Sequence, residues 1–249
     1  MRAIALLLVL AIGACATSPL GRRQIMLASP NEMNEMGIAA FTDMKKKMPV
    51  SKDAKVTAYV GCVARNVTSV MPQTNWEVQV FEDKNINAFA LPGGKIGVFT
   101  GLLKAAQTQD QLAAVIGHEV AHVIAGHSNE RYSEAKLANF GGAVAGAYTG
   151  VDPQLLGMAS NVFFLLPHSR THEAEADIMG MDYMARAGFD PHAAITLWQN
   201  MSQSGGDKPP EMLSTHPSDQ TRIAGLTRRL STAVPLYEQA RAQGRKPVC

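Results

Sequence analysis

The motif that most constrains this chain is His118-Glu119-Val120-Ala121-His122, which lies inside a helical pattern of apolar residues. Thr108, followed three residues later by Gln111, is a capping box that predicts where this helix begins. Four residues correspond to about 400° of helix rotation, so both imidazoles project from one face about one turn apart. That spacing suits two ligands of one tetrahedral Zn²⁺ ion, and Glu119 lies where its carboxylate can reach a water at the metal.

The composition indicates a globular chain. Of 249 residues, 46% are hydrophobic and 18% are charged, and 23 Lys and Arg nearly balance 21 Asp and Glu, for a net charge of +2. No apolar run approaches the ~20 residues that a membrane-spanning helix needs. The net charge supplies no field that would attract a polyanion, and the basic residues are not interleaved with aromatic ones. We therefore expect neither a disordered tail nor a multi-span membrane protein, and no nucleic-acid partner.

The N-terminal residues have the pattern of an export signal. A basic residue precedes an apolar run that ends in Ile12-Gly13-Ala14-Cys15, where two small residues before a cysteine resemble a bacterial lipobox. We expect residues 1–14 to be a signal peptide and Cys15 to carry lipid, which anchors the product to a membrane without spanning it. The alternative is an ordinary signal peptide with a chance cysteine. Ala16 at the next position favours the outer membrane.

The rest of the chain divides into one domain with flanking segments. Residues 15–30 lack periodicity and predict a tether between the lipid and the domain, which we expect over residues 31–230. Residues 231–249 are predicted to form a peripheral C-terminal tail. The Gly- and Ala-rich segment 140–166 predicts a mobile helical hairpin next to the site, with packing in the core as the alternative. Residues 204–210 predict a flexible loop.

The spacing of apolar residues predicts an α+β domain that is mainly helical. Apolar residues three to four apart predict a helix over 56–70, whereas alternation of apolar and polar residues predicts strands at 76–81, 88–91 and 96–99. Gly93-Gly94 joins the last two strands as a hairpin. We therefore expect a small antiparallel sheet beside the helix that carries the two histidines.

A catalytic zinc needs a third protein ligand and one open position. The candidates are His127, His168, His172, Glu173, Glu175 and His216. A helix is predicted over about 171–187, and on it Glu173 and Asp177 share a face while Glu175 lies roughly opposite. One carboxylate could bind zinc while the other accepts a hydrogen bond from a ligand imidazole. The alternative is an acidic helix start that complements the helix dipole.

Other histidines have less specific interpretations. His127 is expected to end the helix of the first motif and to neutralise its C-terminal dipole rather than to bind metal. His192 is expected at the surface. The position of His168 gives no assignment.

Two cysteines remain once Cys15 is assigned to lipid. Cys62 and Cys249 can pair in an oxidising periplasm, and closing so long a loop would stabilise the fold by roughly 3–5 kcal/mol. The alternative is a buried Cys62 and a free terminal thiol. Neither cysteine has the spacing of a metal site.

Four motifs lie in order along the chain. They are Asn87-Ala88-Phe89-Ala90-Leu91-Pro92-Gly93-Gly94, the His118 to His122 motif, Ser169-Arg170 with Glu173-Ala174-Glu175-Ala176-Asp177, and Ser214-Thr215-His216-Pro217 with Arg222. Together they resemble the HtpX-like zinc metallopeptidases, a gluzincin family that includes periplasmic lipoprotein proteases and mitochondrial Oma-type proteases. The resemblance covers roughly residues 30–230 and implies a zincin-like metalloprotease domain. Residue by residue, it implies Glu173 as the third ligand and Asp177 as its partner in the surrounding shell.

His216 and Arg222 are candidates for the open side of the metal. His216 precedes a proline at a helix start, and Arg222 follows within the next turns, so both could reach that side. The resemblance implies that this His and Arg stabilise the tetrahedral oxyanion, and that the His can instead occupy the open position at rest. The alternative is a solvated His216 that caps the helix.

The resemblance implies a zinc-dependent endopeptidase, with one Zn²⁺ per chain and Glu119 as the base, that is lipid-anchored in the bacterial periplasm and cleaves misfolded or unassembled envelope proteins. An extended peptide would add to the sheet edge at Asn87, Ala88, Phe89 and Ala90. The outer-membrane assembly machinery is a candidate partner. The alternatives are a non-proteolytic chaperone or scaffold lipoprotein with a latched zinc site, and a zinc amidase that acts on the cell wall.

Overall fold

The computed structural model describes residues 15–72, 75–145, 161–165, 168–203, 211–216 and 220–249. The strands are β1 (Cys15–Thr17), β2 (Arg23–Ile25), β3 (Glu77–Phe81), β4 (Ala88–Leu91) and β5 (Lys95–Phe99). The helices are α1 (Pro30–Lys47), α2 (Ala54–Thr68), α3 (Gln109–Ile124), α4 (His127–Ala145), α5 (Arg170–Arg186), α6 (His192–Gln203), α7 (Glu211–Thr215) and α8 (Gln220–Ala242). The predicted α+β class, with helices predominating, is confirmed.

Some predicted segments lie outside the described residues. These are the signal peptide at 1–14, the loop at 204–210 and most of the Gly- and Ala-rich segment 140–166. Of the last segment, the structure describes the end of α4 and a π-helical turn at Asn161–Leu165. Among the described helices, none combines the length and the apolar character that a membrane crossing requires.

The α3 helix lies at the centre of the domain. One half of the predicted capping box is present, since Oγ1 of Thr108 accepts a hydrogen bond from the backbone N of Gln111 at 3.2 Å. The side chain of Gln111 accepts instead from the backbone N of Gln107 at 2.8 Å. Every residue from Gln111 to His122 is buried, because α2, α5, α6 and β4 all contact this helix. A helix that is buried on all sides must find partners for its few polar side chains inside the protein.

The three-stranded sheet that packs on α3 has the order β3-β5-β4 and is mixed. The predicted hairpin is present, since β4 pairs antiparallel with β5 and both Gly93 and Gly94 have positive φ. However, β3 pairs parallel with β5, so the small sheet that the sequence predicts as antiparallel is mixed. After β3, residues 82–87 lead the chain to β4, which is separated from β3 by one strand position. The hairpin then places β5 between β3 and β4. This order leaves β4 at the edge of the sheet.

Residues 15–30, for which the sequence predicts a tether, include a hairpin that contacts the domain. β1 and β2 pair antiparallel, and Gln24 of β2 is only 2% exposed. Its Nε2 donates a hydrogen bond to the carbonyl oxygen of Ala125, just after α3, at 2.7 Å. α1 follows, with a capping box at Ser29 and with Phe41 in a second hydrophobic cluster. Polar contacts of individual side chains hold residues 15–25 on the domain. Such contacts do not produce a periodic pattern in the sequence.

The C-terminal residues contact the domain at several points, although most of residues 231–249 are exposed or half-buried. α8 continues through Pro235, and Ala240 near its end is 4% exposed. The sulfur atoms of Cys62 and Cys249 are bonded at 2.10 Å. The backbone N of Cys249 also donates to Oε1 of Gln109 at 2.9 Å. These contacts hold the chain end against α2 and the start of α3.

Candidate metal centre

Two closely crossing helices carry the predicted metal ligands. α3 carries His118 and His122, and α5 carries Glu173. Gly117 of α3 faces Gly180 of α5, and a Cβ on either glycine would lie 2.7 Å from the backbone of the other helix. The absence of side chains at this crossing lets the backbones approach, so that the three predicted ligands meet on one side of it.

The ligand atoms of four buried residues converge. Nε2 of His118 and Nε2 of His122 are 3.1 Å apart, and the carboxylate oxygens of Glu173 lie 3.5 and 3.4 Å from them. Nδ1 of His216 completes the group, at 3.3 Å from Nε2 of His118 and 2.9 Å from Oε1 of Glu173. All four ligand atoms lie within 4.8 Å of one another.

These separations fit a tetrahedral metal ion. Ligands at about 2.0–2.1 Å from an ion such as zinc are about 3.3 Å apart along the edges of a tetrahedron. The two Nε2 atoms are 3.1 Å apart, and each lies 3.4–3.5 Å from one oxygen of Glu173, which is Oε2 for His118 and Oε1 for His122. Two neutral imidazole nitrogens that face each other share at most one proton, whereas a cation between them satisfies both lone pairs. Imidazole nitrogen and carboxylate oxygen are also donors that zinc accepts.

Asp177 and Arg222 contact the ligands from outside the group. Oδ1 of Asp177 is 3.0 Å from Nδ1 of His118, which favours a proton on that nitrogen and leaves the lone pair of Nε2 for the site. Arg222 donates to both carboxylate oxygens of Asp177 at 2.8 and 2.7 Å, and its Nη1 lies 2.6 Å from Oε2 of Glu173. Its guanidinium lies 3.9 Å from the ring centroid of Trp198. Arg222 thus lies where several acceptors meet, which is where a buried guanidinium is most stable.

Burial and neighbouring charges shift the pKa values of the site. Burial opposes the charged form of His118, but the carboxylates of Asp177 and Glu173 outweigh it and raise the pKa of His118 to about 9. Burial also raises the pKa of Glu119, despite two neighbouring histidines, and lowers the pKa of His122 well below its usual value. Glu119 therefore holds a proton more readily than a surface glutamate, as a general base that must later act as an acid requires.

A cleft of about 200 Å³ brings Glu119 and His216 together with the predicted substrate-binding residues, whereas Arg222 does not line it. It is lined by Asn87, Ala88, Phe89, Ala90, Glu119, His122 and His216, among others. Oε1 of Glu119 makes no hydrogen bond with any residue that the structure describes, and it lies 3.5 Å from Nε2 of His216. His168, which the sequence left unassigned, also lines the cleft and stacks on His216 with ring centroids 4.8 Å apart.

Three of the other candidates for the third ligand lie behind His122. Gly126, with φ of +71°, follows the end of α3, and His127 begins α4, so the prediction that His127 ends the first helix is wrong. Nδ1 of His127 is 2.8 Å from Nδ1 of His122, and its Nε2 is 3.1 Å from Oε2 of Glu175. His172 also turns to a carboxylate, 2.9 Å away on α4.

Several residues of the site had no assignment from the sequence. Arg22 and Trp198 lie far from the motifs along the chain, and no local pattern marks them. Glu130 follows His127 by three residues on α4, a helical spacing that places both on one face.

Burial lowers the pKa of Arg131, which lines the cleft, to about 10. His192 was expected at the surface, and its side chain is 59% exposed.

Comparison with known proteins agrees with this geometry. Residues 50–230 match Peptidase family M48. The mitochondrial metalloendopeptidase OMA1 of Schizosaccharomyces pombe is 40% identical over 181 residues, which cover 71% of this chain and 54% of that protein. The putative beta-barrel assembly-enhancing protease of Vibrio cholerae is 30% identical over 228 residues, 83% of this chain and 47% of that protein. The beta-barrel assembly-enhancing protease of Escherichia coli is 26% identical over 220 residues, 83% and 45%.

The chain spans about half the length of the curated relatives that it matches. The family match nevertheless includes α3, α5, His216 and Arg222, and so every member of the convergent group. The resemblance to zinc metallopeptidases is thereby confirmed at the level of the family. With two histidines and a glutamate at tetrahedral spacing beside a buried Glu119, the chain belongs to peptidase family M48.

Proposed function

We propose that this protein is a zinc-dependent endopeptidase, lipid-anchored in the bacterial envelope, that hydrolyses misfolded or unassembled envelope proteins. The observation that carries the proposal is the buried Glu119 in the cleft, whose Oε1 makes no hydrogen bond with any described residue. A buried carboxylate oxygen without a partner costs stability, and active sites are where such costs are retained. Membership of the family supports the peptidase class.

In this proposal His118, His122 and Glu173 hold one zinc ion. The bound ion supplies polarisation of the scissile carbonyl and makes water more acidic. Glu119 takes the proton of the attacking water and returns it to the amine that leaves, so that it ends the cycle in its starting state. The raised pKa of Glu119 supports both steps, because burial makes its protonated form accessible. Asp177 holds the ring of His118 with Nε2 directed to the site.

His216 is proposed to have two positions. Its Nδ1 lies within the ligand group, which supports occupation of the fourth position on the metal at rest. Its Nε2 is 3.5 Å from Oε1 of Glu119, so a small displacement would leave the imidazole close to the reacting carbonyl. There it could donate a hydrogen bond to the oxyanion. Arg222 is held by Asp177 and Glu173 and is proposed to support the ligands rather than to contact the oxyanion.

The substrate is proposed to lie along the edge strand β4. Asn87 to Ala90 line the same cleft as Glu119, and an extended peptide could pair with the backbone of an edge strand. Such pairing depends little on the sequence of the peptide but requires an unfolded segment. Phe164 contacts Phe89 edge to face at 5.3 Å and adds an apolar wall. These features support a preference for unfolded chains.

The envelope location is supported by the N-terminal sequence and by the relatives. Residues 1–14 have the pattern of a signal peptide and Cys15 that of a lipidated cysteine. The names of two bacterial relatives refer to beta-barrel assembly. We therefore propose anchoring to the outer membrane and substrates or partners from its assembly machinery.

The test measures zinc content and casein cleavage side by side on the full chain, with Glu119→Gln as the control. The amide keeps the shape of the carboxylate, so the variant should fold and hold one zinc. Loss of a general base lowers kcat by about 10²–10⁴-fold. We expect chelator-sensitive cleavage in the wild type that nearly disappears in the variant. Equal cleavage by both proteins, or a wild type without zinc, contradicts the proposal.

A non-proteolytic chaperone or scaffold with a latched zinc site is the second candidate. The observation that favours it is the position of His216 within the ligand group. His216→Ala separates the two candidates if the wild type binds zinc but cleaves nothing. Cleavage released in this variant indicates a latched peptidase, whereas continued silence favours the scaffold.

A further inference from the structure

A second polar cluster lies behind the metal centre. We call it the His127 cluster, and it consists of His127 and Glu130 of α4 and His172 and Glu175 of α5. All four side chains are buried, so their polar atoms depend on one another and on their neighbours for hydrogen bonds. One neighbour is a predicted metal ligand, and others belong to the N-terminal hairpin, residues 15–25, in which Gln24 donates to Oε2 of Glu130 at 3.3 Å.

The first contact joins the cluster to the metal centre. Nε2 of His122 faces the ligand group, while its Nδ1 lies 2.8 Å from Nδ1 of His127. Nε2 of His127 in turn lies 3.1 Å from Oε2 of Glu175. His127 is 0% exposed, so neither of its nitrogens can turn to solvent. A line of hydrogen-bonding contacts therefore runs from the metal ligand to a buried carboxylate.

The second contact is made by Arg22 of the N-terminal hairpin. Its Nε donates to Oε2 of Glu175 at 3.1 Å, and its Nη1 and Nη2 donate to the two oxygens of Glu130 at 2.7 and 2.6 Å. The side chains of these glutamates are only 4% and 10% exposed. Two neighbouring buried carboxylates need a cation, and a planar guanidinium can serve both at once.

The directions of the hydrogen bonds follow from the two ends of the line. A metal takes the lone pair on Nε2 of His122, so Nδ1 of that ring carries the proton and donates it to Nδ1 of His127. His127 must then carry its own proton on Nε2, which it donates to Glu175. Glu175 accepts as a carboxylate, the state that the adjacent Arg22 favours. Glu175 thus selects the tautomer of His127, and His127 selects the tautomer of His122.

We propose that Arg22 is a positioning residue of the metal centre, which acts through Glu175 and His127 on the orientation and tautomer of His122. The inference rests on the zinc site proposed above. Gln24, 2% exposed and bonded to the end of α3, holds the hairpin in place. The N-terminal hairpin is therefore part of the support of the metal centre and not only a connection to the lipid.

The test compares zinc dissociation constants of the full chain, measured by competition with a chromophoric chelator. Loss of a group that orients a ligand histidine lowers metal affinity by about 10–100-fold, so we expect that range for His127→Gln and about 10-fold for Arg22→Gln. Arg22→Lys keeps the charge but lacks the fork and should lie between Arg22→Gln and the wild type. Arg23→Gln, which removes the exposed neighbouring arginine, is the matched control and should bind zinc as the wild type does.

Two further measurements distinguish positioning of His122 from a general effect on stability: the zinc affinity of a double variant and the unfolding of the zinc-free proteins. We expect the double variant Arg22→Gln/His127→Gln to bind zinc no more weakly than His127→Gln alone, because both changes interrupt one line of contacts. Additive losses, or a less stable Arg22→Gln protein with unchanged zinc affinity, overturn the inference. Arg22→Lys replaces Arg22→Gln in these comparisons should the latter fail to fold. If the wild type binds no zinc, the proposed metal centre itself is wrong.

Discussion

Replacement of Gly180 by alanine tests how the helix crossing holds the metal centre. A Cβ on Gly180 would lie 2.7 Å from the backbone N of His118 and 2.8 Å from its Cα. Ordinary contact begins at 3.4 Å, so α3 and α5 must separate by about 0.7 Å, since backbone atoms cannot rotate away. The separation moves His118 relative to Glu173, which sits on the other helix.

The displacement is large compared with the tolerance of a metal site. Ligand distances in such sites stay within about 0.2 Å of their preferred values. We therefore expect Gly180→Ala to weaken zinc binding at least about tenfold, which is about 1.4 kcal/mol. Overpacking costs about 1–3 kcal/mol, and removing a glycine from a helix offsets about 1 kcal/mol of that cost. The zinc-free variant should lose no more than about 2 kcal/mol and remain folded.

The assay pairs chelator competition for zinc with urea unfolding of the zinc-free protein. Gly225→Ala is the matched control, because Gly225 also lies inside a helix but the nearest atom to its added Cβ is 4.0 Å away. This control should gain up to about 1 kcal/mol in stability and keep its zinc affinity. A Gly180→Ala protein with the zinc affinity of the wild type would refute the reasoning.

Three further predictions concern stability. Replacing Cys62 and Cys249 by serine should lower the free energy of unfolding by about 3–5 kcal/mol under oxidising conditions, because the bond closes a separation of 187 residues; urea curves that coincide with the wild type contradict this. Hydrogen bonds from Lys45 and Lys95 lower the pKa of Glu77 from its usual 4.5, so the stability they add is present above that pH and is lost as the pH falls. Because the side chain of Glu77 is 41% exposed, Glu77→Gln should lower the free energy of unfolding by less than about 1 kcal/mol at neutral pH. In acid it should lower it by nothing, as unfolding curves at both pH values will show. Zinc at a thousand times its dissociation constant should raise the free energy of unfolding by about 4 kcal/mol, and a chelator should remove that gain in thermal scans.

Local patterns determined which helix bears the metal ligands and where it starts. His118 and His122 share a face because of the helical period, and Thr108 caps the helix as its side-chain chemistry predicts. The spacing on α5 reduced the number of candidates for the third ligand, since Glu173 and Asp177 lie on one face of that helix. In the structure Glu173 faces the two histidines, and Glu175 faces the cluster behind them. The resemblance to a known family supplied the choice that spacing alone left open.

Contacts between distant residues could not be predicted in this way. A helical period places side chains on a face but says nothing about which element lies opposite, so the sequence predicts a helix-dipole role for His127 and not its contact with His122. The hairpin at 15–25 shows no periodicity, yet Arg22 reaches Glu130 and Glu175, which are 108 and 153 residues away. The role of Arg22 follows only from the tertiary structure, which brings two buried carboxylates close together where a cation must stabilise both.

The sequence by itself determined the helices and strands that have a clear apolar period, because that period depends on residues within a few turns of one another. Four motifs spread along the chain determined the chemical types of the ligands and the family. The tertiary structure decided the parallel pairing of β3 with β5, the partners of Arg222 and the meeting of Cys62 with Cys249. It also decided that the segments at 15–30 and 231–249 contact the domain. These outcomes depend on which apolar faces and which buried charges meet across the whole chain. Because the partners are distant in sequence, no local segment contains this information.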